Sequence, residues 1–152
     1  MPWIKVRIRT HSGAEVETSA VANSGFMWRT RLPDGTVHLI PAINIPAPLA
    51  RRLGFSNRAR GGAVMSLEVA GHIRVPTVRL GHVHVKLAVQ DRETPWIRAL
   101  AICIRDESRV LLSEGLLERL KVLPFGNRWL ILGETEFRDE AEPQFWREEC
   151  RE

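Results

Sequence analysis

The chain of 152 residues has no tyrosine, only two cysteines, and three lysines against nineteen arginines. Cys103, inside an apolar stretch, and Cys150, near the end, are too few and too scattered for a disulfide framework or a zinc knuckle, so both are expected to be reduced. Long apolar runs are missing as well. The longest, Ala99 to Ile104, falls far short of the roughly 20 residues that cross a bilayer. The opening Met1-Pro-Trp-Ile-Lys-Val-Arg has no signal-peptide layout, which leads to the expectation of a soluble, cytoplasmic protein with no membrane partner. There is no Gly-x-Ser-x-Gly elbow, no Gly-x-x-x-x-Gly-Lys phosphate loop and no repeat at a solenoid period.

What is present suffices for a core. With 44% apolar and 26% charged residues, the body lies far from the composition of disordered chains, and its length suits one globular domain. The net charge of +4 conceals a division. Residues 134–152 hold 8 acids and 3 bases (net −5), leaving 10 acids and 19 bases (net +9) in residues 1–133. We therefore divide the chain into a basic domain, 1–133, and an acidic C-terminal tail, 134–152, read as a solvated appendage. Arginine's planar fork suits phosphate and carboxylate, so a nucleic-acid partner has to be weighed against a plain compositional preference for arginine.

Ile4, Val6 and Ile8 alternate with Lys5, Arg7 and Arg9, the period of a half-buried strand. His11-Ser-Gly-Ala turns the chain, and Glu15 to Ala22 can pair back as the second arm of a hairpin. Asn23-Ser24-Gly25 follows as a loop. Met27–Leu32 and Thr36–Ile40 flank Pro33-Asp34-Gly35, the clearest hairpin signal in the chain. The stretch from Pro41 to Pro46 is too interrupted by proline for regular structure. Pro48-Leu-Ala-Arg-Arg-Leu before Gly54 predicts a short helix.

Alternation resumes at Met65–Val69, Ile73–Leu80, Val83–Val89 and Trp96–Ile104, with Pro76 predicting an edge or a bulge. After Val110-Leu111-Leu112, Ser113 can cap a helix reaching about Leu120. A closing hairpin around Pro124-Phe-Gly-Asn127 completes about nine strands and two short helices, a mostly antiparallel, all-β barrel or sandwich.

The order of a β hairpin, Ala22-Asn23-Ser24-Gly25, the Leu49-Ala-Arg-Arg-Leu-Gly helix, further hairpins and Val110-Leu-Leu-Ser-Glu-Gly-Leu-Leu resembles the retropepsin-like aspartic proteases. Members of that family carry an Asp-Thr/Ser-Gly loop after a hairpin, and a late strand and helix behind the active site. The similarity spans roughly residues 4–133. It implies a closed or partly closed pepsin-type β-barrel, a homodimer with the tripeptide at its two-fold axis, and an extended peptide or protein ligand bound by β-addition. It implies no cofactor and no metal. A flap hairpin belongs at Val69, Ala70, Gly71 and His72, with Gly61-Gly62 as the other candidate tip. Leu111, Leu112 and Ser113 would support the site from behind.

Two positions depart from the family pattern: Asn23 stands where the catalytic aspartate belongs, and Ser113 where the late motif has glycine. The chemistry needs two carboxylates sharing one proton, one of them acting as base on water. An amide can hold that water but cannot deprotonate it, so the encoded chain is expected to be inactive or strongly impaired. Ser24 keeps the hydroxyl that braces the two loops in the family, and Gly25 keeps the close backbone approach. An active endopeptidase is the alternative, with the aspartate restored by deamidation at Asn23-Ser24 or replaced in this chain. Read without the resemblance, Asn23-Ser24-Gly25 is an ordinary turn.

Other chemistries find less support. His82 and His84 share a strand face and could bind metal with His72 across a hairpin, but no acid or cysteine stands at a matching spacing. Asp91-Arg-Glu93 marks a solvated loop. Arg51, Arg52, Arg58 and Arg60 form a basic cluster, without the interleaved aromatics that would stack on bases. A basic nucleic-acid-binding β-barrel remains the second alternative.

Overall fold

The computed structural model describes residues 3–22, 25–55, 64–69, 73–89, 92–125, 128–131 and 136–138. They form thirteen strand segments and two short helices. Six of the strands close a barrel: β1 (Trp3–Arg9), β2 (Glu15–Ala22), β10 (Leu111–Leu112), β5 (Ala42–Asn44), β9 (Ile97–Ile104) and β7 (Ile73–Val89), which returns to β1. β6 (Val64–Val69) extends β7 as a hairpin arm. β3 (Arg29–Arg31) and β4 (Val37–Leu39) make a separate two-stranded ribbon. β11 (Val122–Phe125), β12 (Arg128–Ile131) and β13 (Glu136–Arg138) form a three-stranded sheet.

Local sequence accounts for most of these elements. The period-two pattern of β1 puts Ile4, Val6 and Ile8 into the barrel at 0–1% exposure. They meet Val83, Val85 and Leu87 of β7, Ala99 and Ala101 of β9 and Leu112 of β10. Each large aliphatic side chain buried here contributes about 1.5–3 kcal/mol. The small alanines of β9 leave room for the helices to close the same core: Leu49 and Leu53 from α1 (Ala47–Arg52) and its cap, and Leu116, Leu117 and Leu120 from α2 (Glu114–Leu120). α1 starts with proline in its first turn and ends before Gly54 at φ +91°, a conformation that suits glycine. Ser113 caps α2, its hydroxyl accepting from the Leu116 amide.

A second apolar layer lies outside the barrel. Val21, Phe26, Ala42, Leu100, Ile102, Ile104 and Leu111 cluster there, flanked by the half-buried Trp3, Trp28 and Ile40. The C-terminal half of β2 is therefore covered on both faces, and its burial loses the alternation seen earlier in the strand.

The structure departs from sequence expectation in several places. Ala42–Asn44, expected to be irregular, is a central strand, because Pro41 and Pro46 flank the three residues and leave their amides free to join ladders. The two predicted strands between Ile73 and Val89 are one strand of 17 residues, which absorbs its irregularity at Gly81, φ +141°, where the register against β9 shifts. Pro76 sits where the ladder to β9 ends, and its carbonyl accepts from the Arg105 amide at 3.0 Å. Arg92 and Glu93, expected in a loop, form β8 (Arg92–Glu93) against Ala88 and Val89. Within the expected tail, Glu136–Arg138 pairs with Arg128–Leu130.

Cys103 is disulfide-bonded rather than reduced, because the fold, not the number of cysteines, decides whether a thiol is brought to a partner. The other cysteine, Cys150, lies outside the described residues. Among the described residues no helix is long and apolar enough to cross a membrane.

Candidate functional site

The loop singled out by sequence leaves the barrel at the end of β2. Asn23 and Ser24 lie outside the described residues; the residues on either side of them are fixed by backbone hydrogen bonds. On one side the Val21 amide donates to the Val110 carbonyl at 2.8 Å. On the other, the Phe26 carbonyl accepts from the Glu114 amide at 2.8 Å. Gly25 is exposed in the turn between them. Both anchors belong to the segment Val110–Glu114, so one short stretch of late sequence holds both ends of the loop.

That stretch is β10 and the cap of α2. Leu111 and Leu112 run parallel to Val21 and Ala22, and antiparallel to Asn44 and Ile43. β10 is thus inserted between two strands distant from it in sequence. Its two leucines face opposite ways, as successive strand residues must. Leu111 joins the outer apolar layer and Leu112 the barrel interior.

Ser113 ends the strand and is fully buried. Its hydroxyl oxygen accepts from the Ala42 amide at 2.8 Å and from the Leu116 amide at 3.2 Å, and lies 3.4 Å from the Ile40 carbonyl, to which it donates. Its own amide donates to the Ala42 carbonyl at 3.0 Å. Ser113 therefore has a positive role: it caps α2 and ties it to the start of β5. Gly115, two residues on in the first turn of α2, allows a close approach. A Cβ there would meet the Ile40 carbonyl oxygen at 2.8 Å.

Asn44 is a structural determinant that the sequence reading passed over. It is completely buried; its amide nitrogen donates to the Arg109 carbonyl at 2.8 Å and its carbonyl accepts from the Ile104 amide at 2.7 Å. One side chain thus ties β5 to the end of β9 and to the loop that delivers β10. Arg109 is itself held by the Glu107 carboxylate, which accepts from its amide at 2.9 Å and from its guanidinium at 2.7 and 3.0 Å. That contact raises the Arg109 pKa above its ordinary value. The available signal was an asparagine between two isoleucines in a proline-bounded segment, since a buried amide requires partners.

The remaining candidates are distributed as follows. Val69 ends β6 opposite Ile73, while Ala70, Gly71, His72, Gly61 and Gly62 lie outside the described residues. Arg51 and Arg52 are exposed in the last turn of α1, and Arg58 and Arg60 lie outside the described residues. His82 is exposed and His84 partly buried on β7. Among the described residues no group of three or more histidine, cysteine or acidic side chains is placed to hold a metal. Comparison with protein-family models, curated proteins and solved structures yields no match to this chain.

Proposed function

We propose that this chain is a retropepsin-like aspartic protease homologue. It forms a homodimer and retains a groove for extended peptide, and Asn23 in the place of the catalytic aspartate leaves it inactive or strongly impaired. The observation that carries this reading is the insertion of Leu111–Leu112 parallel to Val21–Ala22, with Val110 before this strand and Glu114 at the start of the Ser113-capped helix anchoring the two ends of the loop that contains Asn23. A late strand and helix behind the loop is the arrangement that the resemblance calls for. Trp3, paired in register with Val21, and Trp28 in the same layer offer half-buried apolar surface beside that loop for a second copy to cover.

The chemistry follows from one atom. Aspartic proteolysis needs a carboxylate to take a proton from water and a second carboxyl to donate to the scissile carbonyl. Asparagine offers a hydrogen-bond acceptor and donor at the same place, so water and peptide can be bound without being activated.

The test compares the chain as encoded with Asn23→Asp on a mixed peptide library from acidic to neutral pH, with sedimentation to read the assembly state. Cleavage by the aspartate variant alone, in a dimer, is the expected result. A folded Asn23→Asp protein that neither cleaves nor dimerises overturns the reading. Cleavage by the encoded chain, together with a gain of about one dalton on the peptide containing residue 23, would assign the activity to deamidation.

A further inference from the structure

The ribbon of β3 and β4 follows the candidate loop and is tied at both ends. The Ile40 amide donates to the Trp28 carbonyl at its base, and the Leu32 amide to the Thr36 carbonyl at its tip, each at 2.8 Å. Between these bonds Arg29 stands opposite Leu39, Thr30 opposite His38 and Arg31 opposite Val37. Antiparallel pairs alternate between those that exchange hydrogen bonds and those that do not. Because Trp28 with Ile40 and Leu32 with Thr36 are bonded pairs, Arg29 and Arg31 are not. Their N–H and C=O groups therefore point away from β4, out of the side edge of the ribbon.

Among the described residues no strand other than β4 pairs with β3. The far edge of the ribbon is different, because α2 packs against its base: a Cβ at Gly115 would meet the Leu39 carbonyl carbon at 3.1 Å. Two cations mark the open edge. Arg29 and Arg31 are exposed and, being two apart on a strand, share one face. The Arg29 guanidinium donates to the Met27 sulfur at 3.4 Å. Among the described residues neither arginine is ion-paired with a carboxylate, that of Glu114 beside Phe26 included. The one acid of the ribbon, Asp34, is taken up in the turn, where it accepts from the Thr36 amide at 2.9 Å and the Thr36 hydroxyl at 2.6 Å. The other face of β3 carries Thr30 between Trp28, half-buried in the outer apolar layer, and the exposed Leu32.

We propose that the open edge of β3 binds an extended acidic segment of a partner protein by strand addition, its backbone completing the hydrogen bonds of Arg29 and Arg31 and its carboxylates pairing with their guanidinium groups. The site is separate from the groove at the Asn23 loop and needs neither that groove nor a second copy of the chain. Charge decides the partner. Same-face residues of a strand lie about 6.8 Å apart, so acids at i and i+2 of an incoming strand meet Arg29 and Arg31 together. The residue between those acids shares the face of Thr30 and Leu32, where an aliphatic side chain fits. Two cations on a bare edge repel a basic strand and gain nothing from a neutral one. An acidic strand instead receives two charge-assisted, fork-shaped contacts in addition to its main-chain bonds. With its base fixed by Trp28 in the apolar layer, the edge is presented at little ordering cost.

The experiment measures binding of a labelled peptide of three Glu-Val repeats to the full chain by fluorescence anisotropy at 50 mM salt. Exchanging every Glu of the peptide for Gln should weaken binding at least about tenfold, and so should Arg29→Gln with Arg31→Gln in the protein. Arg79→Gln with Arg98→Gln, which removes as much charge elsewhere, should change it less than threefold. N-methylation of the peptide separates strand addition from plain attraction between charges. In antiparallel addition the Glu residues opposite Arg29 and Arg31 aim their N–H groups at β3, so methylating the Glu amides should abolish binding and methylating the Val amides should spare it. The reverse pattern would assign parallel addition and supports the site equally. If the Arg29 and Arg31 variant melts early, the peptide series on the native chain still decides. No binding of the Glu peptide, equal binding of its Gln form, equal response to the two methylations, or undiminished binding by a folded ribbon variant would each overturn the proposal. None of these results bears on Asn23→Asp, so the groove reading stands or falls separately.

Discussion

Where β10 enters between β2 and β5, buried polar side chains are matched one by one; on the outer face of β1 and β7, the cations Arg7 and Lys86 stand opposite each other. Ser113 and Asn44 serve five backbone groups between them at 2.7–3.4 Å, with no charge involved. Arg7 stands opposite Lys86, Arg9 and Arg98 stand on either side of His84, and Glu17 and Glu15 reach Arg7 from β2. The first region is specified by hydrogen-bond satisfaction in a dry interior, where a missing partner costs the full desolvation of the group left behind. The second is paid for in repulsion, screened by water and salt.

Substitution at Asn44 should separate the two regions most sharply. Asn44→Leu keeps similar volume but strands the Ile104 amide and the Arg109 carbonyl in the interior. With a cost of about 1–3 kcal/mol for each orphaned group, a loss of roughly 2–5 kcal/mol is expected in urea unfolding. A loss below about 1 kcal/mol would mean that the crossing is held by packing and not by its polar pairs.

Ser113→Ala should cost less, about 1–3 kcal/mol, because it removes the α2 cap and the partner of the Ala42 amide but leaves the Leu111–Leu112 ladders intact. Thermal melts of this variant and of Ser113→Thr, which retains the hydroxyl, measure the effect. Recovery by threonine of no stability at all would show that volume, not the hydrogen bonds, matters at this position.

The same contrast explains what was legible in the sequence. Period-two alternation exposed β1 and the arms of β7, and turn residues exposed the hairpin at Pro33-Asp34-Gly35, because burial on one face writes itself into local order. The cap at Ser113 was readable for the same reason: its partner, Leu116, is three residues away. The role of Ser113 toward Ala42 was not, since that contact spans 71 residues. β5 was missed because both of its neighbours in the sheet come from more than fifty residues later, and the prolines at its ends masked three ordinary strand residues. Asn23 was singled out by resemblance, and the anchoring of its loop through Val110 and Glu114 became visible only in the fold. The cationic face was legible as an excess of arginine but not as a surface: the sequence shows Arg51 and Arg52 as neighbours and hides that Arg9, His84 and Arg98 are a row.

The smallest expected effect tests the repulsive face itself. His82 is exposed on β7, and desolvation, followed by the charges of Arg98 and Arg79, lowers its pKa below the ordinary 6.5. A base whose folded-state pKa is depressed resists protonation in the native protein more than in the unfolded chain. Between 6.5 and the lower folded-state value the unfolded state therefore binds more protons, and stability falls as pH falls through that window. Comparing melting temperatures at pH 7.5 and 5.5 for the native chain and His82→Gln isolates this contribution from those of the other histidines. The native chain should lose slightly more on acidification, by less than about 0.5 kcal/mol because solvent screens an exposed group. Arg98→Gln should shrink the difference, and its own stability at low salt should match or exceed that of the native chain, since it removes a cation from the row. An Arg98→Gln protein clearly less stable than the native one at low salt would mean that the row is not repulsive, and the contrast between the two regions would fail on the side where it costs the molecule most.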